Sequence, residues 1–342
     1  MKKLKYTHVL LLSLLAACLM FSLIGCSQSK KESKASDSQA SAAAQADTKE
    51  DRELVIGTLA TEDFLPLWFA EDQKLFDTDK VGAYKLMVFQ SAQELSAALS
   101  AKSVDMAMTD VVVAANIDKA SVPMQIEWTT LGETPQEGRF GILAGPNSNI
   151  SQLSELKGVP VGVGSGTMLE YVMDKLLLNA GLSKDEIKKE ELKKLPARLQ
   201  AVMSGQCEAG VFPATLLELG LAQGGKLIAD DTRGENLSQS VMALNAELSA
   251  DPKMAARIEA VKDAWNKAAD AINADNAKAK EVLLKYVKLP EVLQENYPIQ
   301  HYPQVSRPKA ETVQPVLDWM LEKTYLDSKL NYDEKSGRFV RG

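Results

Sequence analysis

The chain has 342 residues, a length typical of about two domains, and its formal net charge at pH 7 is −7. This acidic balance argues against a nucleic-acid-binding protein, since affinity for a phosphate backbone requires an excess of Lys and Arg on one surface. With three Cys and two His, the sequence excludes disulfide frameworks, CxxC redox pairs and structural zinc sites, and we expect no metal and no cofactor.

Residues 1–26 have the pattern of a lipoprotein signal peptide. Lysines near the start precede an apolar stretch over residues 9–25, which is shorter than the about 20 residues of a membrane-spanning helix. The stretch ends in Leu23-Ile-Gly-Cys26, which resembles the lipobox of bacterial lipoproteins, whose Cys carries the lipid, typically including palmitate. Cys18 ends a competing box, and an uncleaved anchor is a further alternative. Cys26 is favoured because polar residues follow it, whereas apolar residues follow Cys18.

Residues 27–52 predict a disordered tether. This segment has no Val, Ile, Leu, Met, Phe, Trp, Tyr or Cys, and Ser, Ala and Gln dominate it. Such a composition cannot bury enough apolar surface to offset the entropy of ordering. We therefore expect a folded body that starts near Glu53.

From residue 53 onward, short β-branched runs alternate with amphipathic stretches, an order typical of α/β folds. The predicted strands are 54–56, 86–89, 104–108, 124–131, 140–143, 159–163, 209–212, 226–228 and 240–244. The predicted helices between them are 67–76, 94–100, 168–179, 197–204 and 214–222. Beyond residue 244 the pattern predicts helices alone, over 252–273, 276–286 and 309–323. Two α/β units followed by a helical tail are indicated.

Several phrases occur in an order that resembles one known family. They are Leu65-Pro-Leu-Trp-Phe-Ala-Glu-Asp, Val104-Asp105, Leu153-Ser-Glu-Leu-Lys-Gly-Val-Pro-Val-Gly-Val and Asn179-Ala-Gly-Leu. Together they are similar to landmarks of ABC-transporter solute-binding lipoproteins of the nitrate, sulfonate, taurine and thiamine-precursor group, over nearly all of residues 53–325.

The resemblance implies a two-lobed periplasmic-binding-protein fold of type II, the Venus flytrap, with the ligand in a cleft between the lobes. Lobe 1 would comprise residues 53–140 and 241–342, including the helical tail packed back on that lobe, and lobe 2 residues 141–240. Two hinge strands would cross between the lobes near 140–145 and 236–243.

Ligands of doubly wound sheets bind beyond the carboxyl ends of the strands, so the loops there supply the candidate ligand-binding residues. These are Glu62, Asp63, Trp68, Ser91, Thr109, Asp110, Arg139, Gly164, Ser165, Gly166, Thr167 and Phe212. The loop from Gly164 to Thr167 follows a strand and opens a helix, so its N–H groups would bind an anion or a polar oxygen, or the loop would serve as a helix cap. It lacks the third glycine of a dinucleotide-binding motif.

The charges of these candidates point to two ligand chemistries. The acids Glu62, Asp63 and Asp110 favour a ligand with an amine or an N–H edge, whereas Arg139, the one cation close to these loops in sequence, favours a sulfonate, carboxylate or phosphate. A zwitterion would satisfy both, and so would a pyrimidine held by the acids and stacked on an aromatic ring such as Trp68 or Phe212. A catalytic carboxylate pair is a weaker alternative.

The expected function is that of a solute-binding protein and not of an enzyme. It would be lipid-anchored at Cys26 on the extracytoplasmic face of the cell membrane, monomeric, and would deliver a small organic solute to the permease of an ABC importer. Alternatives are an enzyme on the same scaffold, of a pyrimidine-forming or menaquinone-pathway type, and a ligand-sensing lipoprotein.

Overall fold

The computed structural model describes residues 52–287, 289 and 291–342. The predicted signal peptide with Cys26, and the predicted tether as far as residue 51, lie outside the described residues. Arg52, the last residue of the predicted tether, already belongs to the body, because its guanidinium donates hydrogen bonds to both carboxylate oxygens of Asp105. Within the described part of the chain, no helix is long and apolar enough to cross a membrane.

The strands of the described residues are β1 (Leu54–Leu59), β2 (Tyr84–Phe89), β3 (Met106–Asp110), β4 (Met124–Leu131), β5 (Phe140–Ala144), β6 (Pro160–Val163), β7 (Lys188–Glu191), β8 (Ala209–Pro213), β9 (Lys226–Asp230), β10 (Ser240–Asn245), β11 (Leu330–Asp333) and β12 (Arg338–Arg341). The α-helices are α1 (Leu65–Asp72), α2 (Thr78–Val81), α3 (Ala92–Ser100), α4 (Val111–Lys119), α5 (Met168–Asn179), α6 (Leu195–Met203), α7 (Ala214–Ala222), α8 (Ala246–Ser249), α9 (Pro252–Ala274), α10 (Ala277–Tyr286), α11 (Glu291–Gln294) and α12 (Ala310–Glu322). Single 3₁₀ turns lie at Glu62–Phe64, Leu153–Leu156 and Lys184–Glu186.

The strands form two mixed sheets. The seven-stranded sheet has the order β11-β12-β4-β10-β3-β1-β2, and the five-stranded sheet has the order β7-β6-β8-β5-β9. In the first sheet β1 runs parallel to β2 and β3, and β10 is antiparallel to β3 and β4. In the second, β6 is parallel to β7 and β8, and β5 is antiparallel to β8 and β9. We call the unit around the first sheet lobe 1 and the unit around the second lobe 2.

The chain passes between the sheets in two irregular segments, 132–139 and 231–239, that lie side by side. Asn236 donates a hydrogen bond to the carbonyl of Gly132 at 2.8 Å. A Cβ at Gly132, where φ is +83°, would come within 2.4 Å of the Ser238 carbonyl oxygen, and one at Gly138 within 2.8 Å. The sequence predicted crossings in strands near 140–145 and 236–243. In the structure the crossings precede β5 and β10, because hydrogen bonds to neighbouring strands hold each of these two strands within one sheet.

The C-terminal tail packs on both faces of the lobe 1 sheet. Helices α9 and α10 cover one face with α1, and the buried Trp265 donates its indole N–H to the carbonyl of Pro303 at 2.9 Å. Helix α12 covers the other face beside α4. The tail also contains the hairpin β11–β12, which extends the sheet next to β4 and which the sequence pattern did not predict.

One part of the tail contacts lobe 2 as well. We call residues 319–325 the C-terminal strap. Its Trp319 indole N–H and Lys323 ammonium each donate to Asp174 of α5 at 2.9 Å. Its Tyr325 hydroxyl donates to Glu170 of the same helix at 2.7 Å. The tail thus joins both lobes, whereas the sequence predicted packing on lobe 1.

Candidate functional site

A cavity of about 60 Å³ lies between the lobes, at the carboxyl ends of β1 and β3. Compared with the volume that a buried water molecule needs, this cavity has room for a few water molecules or for the head group of a small ligand. Lobe 1 contributes the end of β1 and the turn after it, the end of β3, helix α3 and the start of β10, and lobe 2 contributes the start of β5, the end of β8 and the starts of α5 and α6. The lining residues are Leu59, Thr61, Asp63, Ala92, Gln93, Leu95, Met108, Thr109, Asp110, Phe140, Thr167, Met168, Leu169, Lys193, Leu195, Arg198, Pro213 and Ser240.

Polar contacts hold the two walls of this cavity together. The Gln93 side-chain amide donates to the carbonyl of Ser165 at 3.2 Å, and the Met168 N–H donates to Asp110 at 3.3 Å. A salt bridge of 3.1 Å joins Glu94 of lobe 1 to Lys194 of lobe 2. The lobes are therefore in contact around the cavity, as a ligand-enclosing cleft requires.

Four of the predicted ligand-binding residues line the cavity, namely Asp63, Thr109, Asp110 and Thr167. The three from lobe 1 lie there because Thr109 and Asp110 end β3 and Asp63 follows β1, and these neighbouring parallel strands have their carboxyl ends at one sheet edge. Thr167 lies at the N-terminus of α5 in the opposite wall. The rule that places ligands beyond strand ends therefore located one wall of the cavity from the sequence.

In the loop from Gly164 to Thr167, two N–H groups that the sequence offered to a ligand already have acceptors within the protein. Its Ser165 N–H donates to Glu191 at 3.2 Å, and its Gly166 N–H donates to Glu170 at 2.8 Å. The Met168 N–H is taken by Asp110, and the Thr167 hydroxyl donates to the carbonyl of Gly164 at 2.8 Å. Carboxylates of the protein itself thus accept from three N–H groups at this helix N-terminus, those of Ser165, Gly166 and Met168.

Arg139 does not line the cavity either. Its Nε donates to Asp230 at 2.8 Å, and its Nη1 pairs with Glu218. Because Arg139 precedes β5, the adjacent strand β9 and helix α7 bring these two carboxylates to its side chain. Its charge is already neutralised, which corrects the expectation that Arg139 is the cation nearest the ligand.

Two cations line the cavity, the exposed Lys193 and the buried Arg198. Arg198, on α6, was missed by the sequence analysis. Its side chain is 2% exposed, and it donates to the carbonyls of Leu192 and Val211 at 2.8 Å and of Lys193 at 3.5 Å. Burial lowers the pKa of this guanidinium to about 10. Among the described residues no carboxylate forms an ion pair with Arg198. The negative charge of Glu191, at a longer distance, raises the pKa of the guanidinium and so partly opposes the effect of burial.

The sequence carried one signal for Arg198. It lies three residues after Leu195 and four before Val202, so it occupies the apolar stripe of an amphipathic helix. A buried arginine at such a position needs a specific role. The signal was missed because β7, which precedes this helix, reads Lys-Lys-Glu-Glu and is exposed, so no strand was predicted there whose end would have directed attention to α6.

The wall opposite Arg198 carries carboxyl groups. Asp63 accepts a hydrogen bond from the Ser240 hydroxyl at 2.5 Å, and its Oδ1 has no donor among the described residues that meets the usual distance and angle limits. Burial raises the pKa of Asp63, against the opposing effects of Ser240 and Thr61. Burial also raises the pKa of Asp110 to about 6, although Asp110 caps α4 by accepting from the Val113 N–H. No group of three or more metal-ligating side chains occurs in the described ranges.

The remaining predicted residues lie away from the cavity. Trp68 is fully buried in the lobe 1 core, stacked on Tyr286 with ring centroids 4.7 Å apart. Ser91 caps α3 by accepting from the Glu94 N–H at 3.1 Å. Phe212 is also fully buried, and its ring centroid lies 5.9 Å from the guanidinium carbon of Arg198. Phe212 therefore packs against the Arg198 guanidinium within the core and does not line the cavity.

Glu62 lies just outside the cavity as a buried carboxyl group. The Tyr297 hydroxyl donates to it at 2.6 Å, and the Tyr302 hydroxyl donates to its backbone carbonyl at 2.8 Å. Burial raises the pKa of Glu62 to about 8, despite the hydrogen bond from Tyr297. This raised pKa favours the protonated carboxyl group, and Glu62 belongs to the packing between the first loop and the tail.

Glu62→Gln is expected to stabilise the protein at alkaline pH and to change little below pH 4.5. A carboxyl group whose pKa is raised in the folded state costs nothing while it is protonated in both states. The loss of folding stability grows as the pH rises from the pKa of the unfolded state toward the folded-state pKa of about 8, and it is complete above that pH. Urea unfolding of both proteins between pH 4 and pH 9 checks this. Parallel stability curves would contradict a protonated Glu62.

Comparison with solved structures agrees with this geometry. The alkanesulfonate-binding protein SsuA from Xanthomonas axonopodis pv. citri, bound to MOPS, superposes with a TM-score of 0.68 at 20% identity, covering 81% of this chain and 94% of that one. The periplasmic aliphatic sulphonate binding protein SsuA from Escherichia coli gives 0.66 at 19% identity, covering 85% and 92%. The chain has a periplasmic-binding-protein fold.

The nitrate-binding protein NrtA from Synechocystis PCC 6803 has the same fold, with a TM-score of 0.65 at 14% identity, covering 80% of this chain and 82% of that one. No protein-family model and no curated protein matches the sequence. The two-lobed α/β fold implied by the sequence resemblance is thereby confirmed.

Proposed function

We propose that this protein is the solute-binding component of an ABC importer, and that it encloses a small organic anion between its lobes and delivers it to the membrane permease. It acts as a binding protein and not as an enzyme. The observation that carries the proposal is Arg198, a buried guanidinium without an ion-pair partner among the described residues, at the wall of a cavity between two lobes.

A charge in this position is costly until a counter-ion arrives. Burying an ionised group is unfavourable unless it is paired and hydrogen-bonded, and the three carbonyl acceptors of Arg198 supply hydrogen bonds but no charge. Of its five N–H groups, three are used, and the rest can bind an oxyanion. An anionic ligand supplies the missing charge and favours the closed form, in which both walls contact it.

The opposite wall refines the ligand class. Asp63 can accept a hydrogen bond from an N–H or O–H group of the ligand. A sulfonate or carboxylate that also carries a donor therefore suits both walls. A stacked pyrimidine is less well supported, because Trp68 and Phe212, the rings expected to stack on it, lie in the cores.

The periplasmic proteins of the same fold support an extracytoplasmic location for this chain. Lipid attachment at Cys26 and a monomeric body are part of the same proposal and rest on the lipobox-like sequence and the tether after it. Cys26→Ala is expected to leave the protein in the soluble fraction of its host. Membrane retention of that variant, with loss in Cys18→Ala, would contradict the assignment.

Thermal unfolding with a panel of small solutes tests the function. The panel contains taurine, methanesulfonate, acetate, nitrate and hydroxymethylpyrimidine. A true ligand at about 100 times its dissociation constant raises the free energy of unfolding by roughly 2.7 kcal/mol through mass action, which gives a clear shift of the melting temperature. We expect the organic anions to give the shift. A shift with the uncharged pyrimidine alone would contradict the proposal.

A further inference from the structure

The C-terminal strap is fixed to lobe 1, although it also contacts lobe 2. It begins in the last turn of α12, which packs on the lobe 1 sheet beside α4. Beyond the helix, the carbonyl of Tyr325 accepts a hydrogen bond from the Lys119 ammonium of α4 at 3.0 Å, and Lys119 also pairs with Asp327 at 3.0 Å. The strap backbone therefore moves with lobe 1 when the lobes move.

The side chains of the strap bind carboxylates in the first two turns of α5, in lobe 2. The Tyr325 hydroxyl donates to Glu170 at 2.7 Å and accepts from the Lys189 ammonium of β7 at 3.0 Å. The Lys323 ammonium lies 3.2 Å from Glu170 and 2.9 Å from Asp174. Both carboxylates are buried, and hydrogen bonds in such surroundings are stronger than exposed ones. The strap thus joins the lobes through a buried network.

One end of this network lies at the edge of the cleft. Tyr325 lines a hollow between the lobes together with Gln93 and Ser165, whose hydrogen bond joins the two walls of the cavity. Glu170 also accepts from the Gly166 N–H at 2.8 Å, and the residue after Gly166 lines the cavity. The strap is therefore bonded, through Glu170, to the loop that forms part of the lobe 2 wall.

The other end lies near a segment in which the chain crosses between the lobes. Asp174, the acceptor at this end, precedes Lys175, whose ammonium lies 3.7 Å from Glu235 in the crossing segment 231–239. In a hinge motion of two lobes, atoms far from the hinge move farther than atoms close to it. Opening of the lobes therefore stretches the Tyr325 contact more than the Asp174 contacts.

We propose that the C-terminal strap is a latch that favours the closed form of the two lobes, and that its bond from Tyr325 to Glu170 breaks when the lobes open. This inference rests on the proposed function, because opening admits the solute and closing retains it, and it names the regulation of that site. A ligand shifts such an equilibrium only by its preference for the closed form. A latch that already favours this form therefore raises the apparent affinity for a solute that binds between the lobes.

The distance between spin labels on the two lobes tests this inference without a ligand. The labels are attached at Lys85→Cys on β2 and Lys188→Cys on β7, both exposed, because these strands end their sheets on the side away from the crossings. The full chain carries Cys18→Ser and Cys26→Ser, and Cys207, which is 3% exposed, stays unlabelled. Pulsed electron paramagnetic resonance then gives the populations of the closed and open forms.

The parent protein is expected to show mainly the shorter distance. Tyr325→Phe keeps the ring that packs beside Trp319, and it should raise the ratio of open to closed protein about tenfold, since it removes a hydrogen bond to a charged group. Lys323→Met is a second strap variant and should shift the ratio in the same direction. Tyr286→Phe is the matched control, because it removes a tyrosine hydroxyl that donates to Glu71 at 3.1 Å within lobe 1.

Unchanged distance distributions in both strap variants would overturn the latch and leave the proposed function standing. An equal rise of the open form in Tyr286→Phe would overturn it as well, by indicating a general loosening of the fold. If no solute of the panel shifts the melting temperature, the proposed function fails, and the distance measurement still decides whether the strap favours the closed form.

Discussion

Arg198→Gln is expected to weaken binding of the anionic ligand about 100-fold or more. Removing one partner of a buried, hydrogen-bonded charge pair costs about 2–5 kcal/mol in binding, and Arg198 is the cation that the described cavity wall offers in buried form. Arg198→Lys keeps the charge but loses the planar fork, so an intermediate loss of about tenfold is expected. Calorimetric titration of both variants with the anion that stabilises the wild type gives the comparison.

Two controls make the Arg198 result specific. Arg139→Gln, which removes an arginine already paired with Asp230 and Glu218, should change affinity by less than about threefold. Circular dichroism of the ligand-free variants shows whether the loss of the hydrogen bonds to Leu192 and Val211 has affected folding. Wild-type affinity in both Arg198 variants, or a larger loss in Arg139→Gln, would contradict the placement of the anion.

Much of the fold was predictable because its elements are strongly patterned. Helices α5 and α7 span the residues that the sequence indicated, since each begins directly after a strand-and-turn signal and has a continuous apolar face. The strand β7 was missed because an exposed edge strand of Lys and Glu has no apolar alternation. The hairpin β11–β12 was missed because its strands have four residues each, too few to compete with the helical pattern before them.

The candidate site was predictable on one side only. Asp63, Thr109 and Asp110 lie at or just beyond the ends of strands, and strand ends can be located from the sequence. The other side depends on which charges meet in three dimensions. Nothing in the sequence shows that Glu191 and Glu170 satisfy the loop at Gly164, or that Arg139 is neutralised by residues about 80 and 90 positions away. Arg198 becomes the anion-binding candidate only when those pairings are known.

The largest expected effect on stability comes from Glu170, which links lobe 2 to the C-terminal strap. It is fully buried, and it accepts hydrogen bonds from the Lys189 ammonium at 2.7 Å, the Tyr325 hydroxyl at 2.7 Å and the Gly166 N–H at 2.8 Å, with Lys323 at 3.2 Å. Burial alone would raise its pKa, but these donors together hold the pKa below its usual value.

Glu170→Ala is expected to lower the free energy of unfolding by about 3–5 kcal/mol, since it removes a buried carboxylate that two cations and two neutral donors share. Of these donors, Lys323 keeps Asp174 as a partner. Glu170→Gln keeps the shape and should cost less. Its deficit relative to the wild type should shrink as the pH falls, because a carboxylate with a lowered pKa contributes stability above the unfolded value and loses it on protonation. Urea unfolding at pH 7 and at pH 4 measures both effects.

Glu322→Ala, in the same strap, is the control. It removes an exposed ion pair with Lys184 and should lower the free energy of unfolding by less than about 1 kcal/mol. If Glu170→Ala were no more costly than this control, the strap would not hold lobe 2 through Glu170.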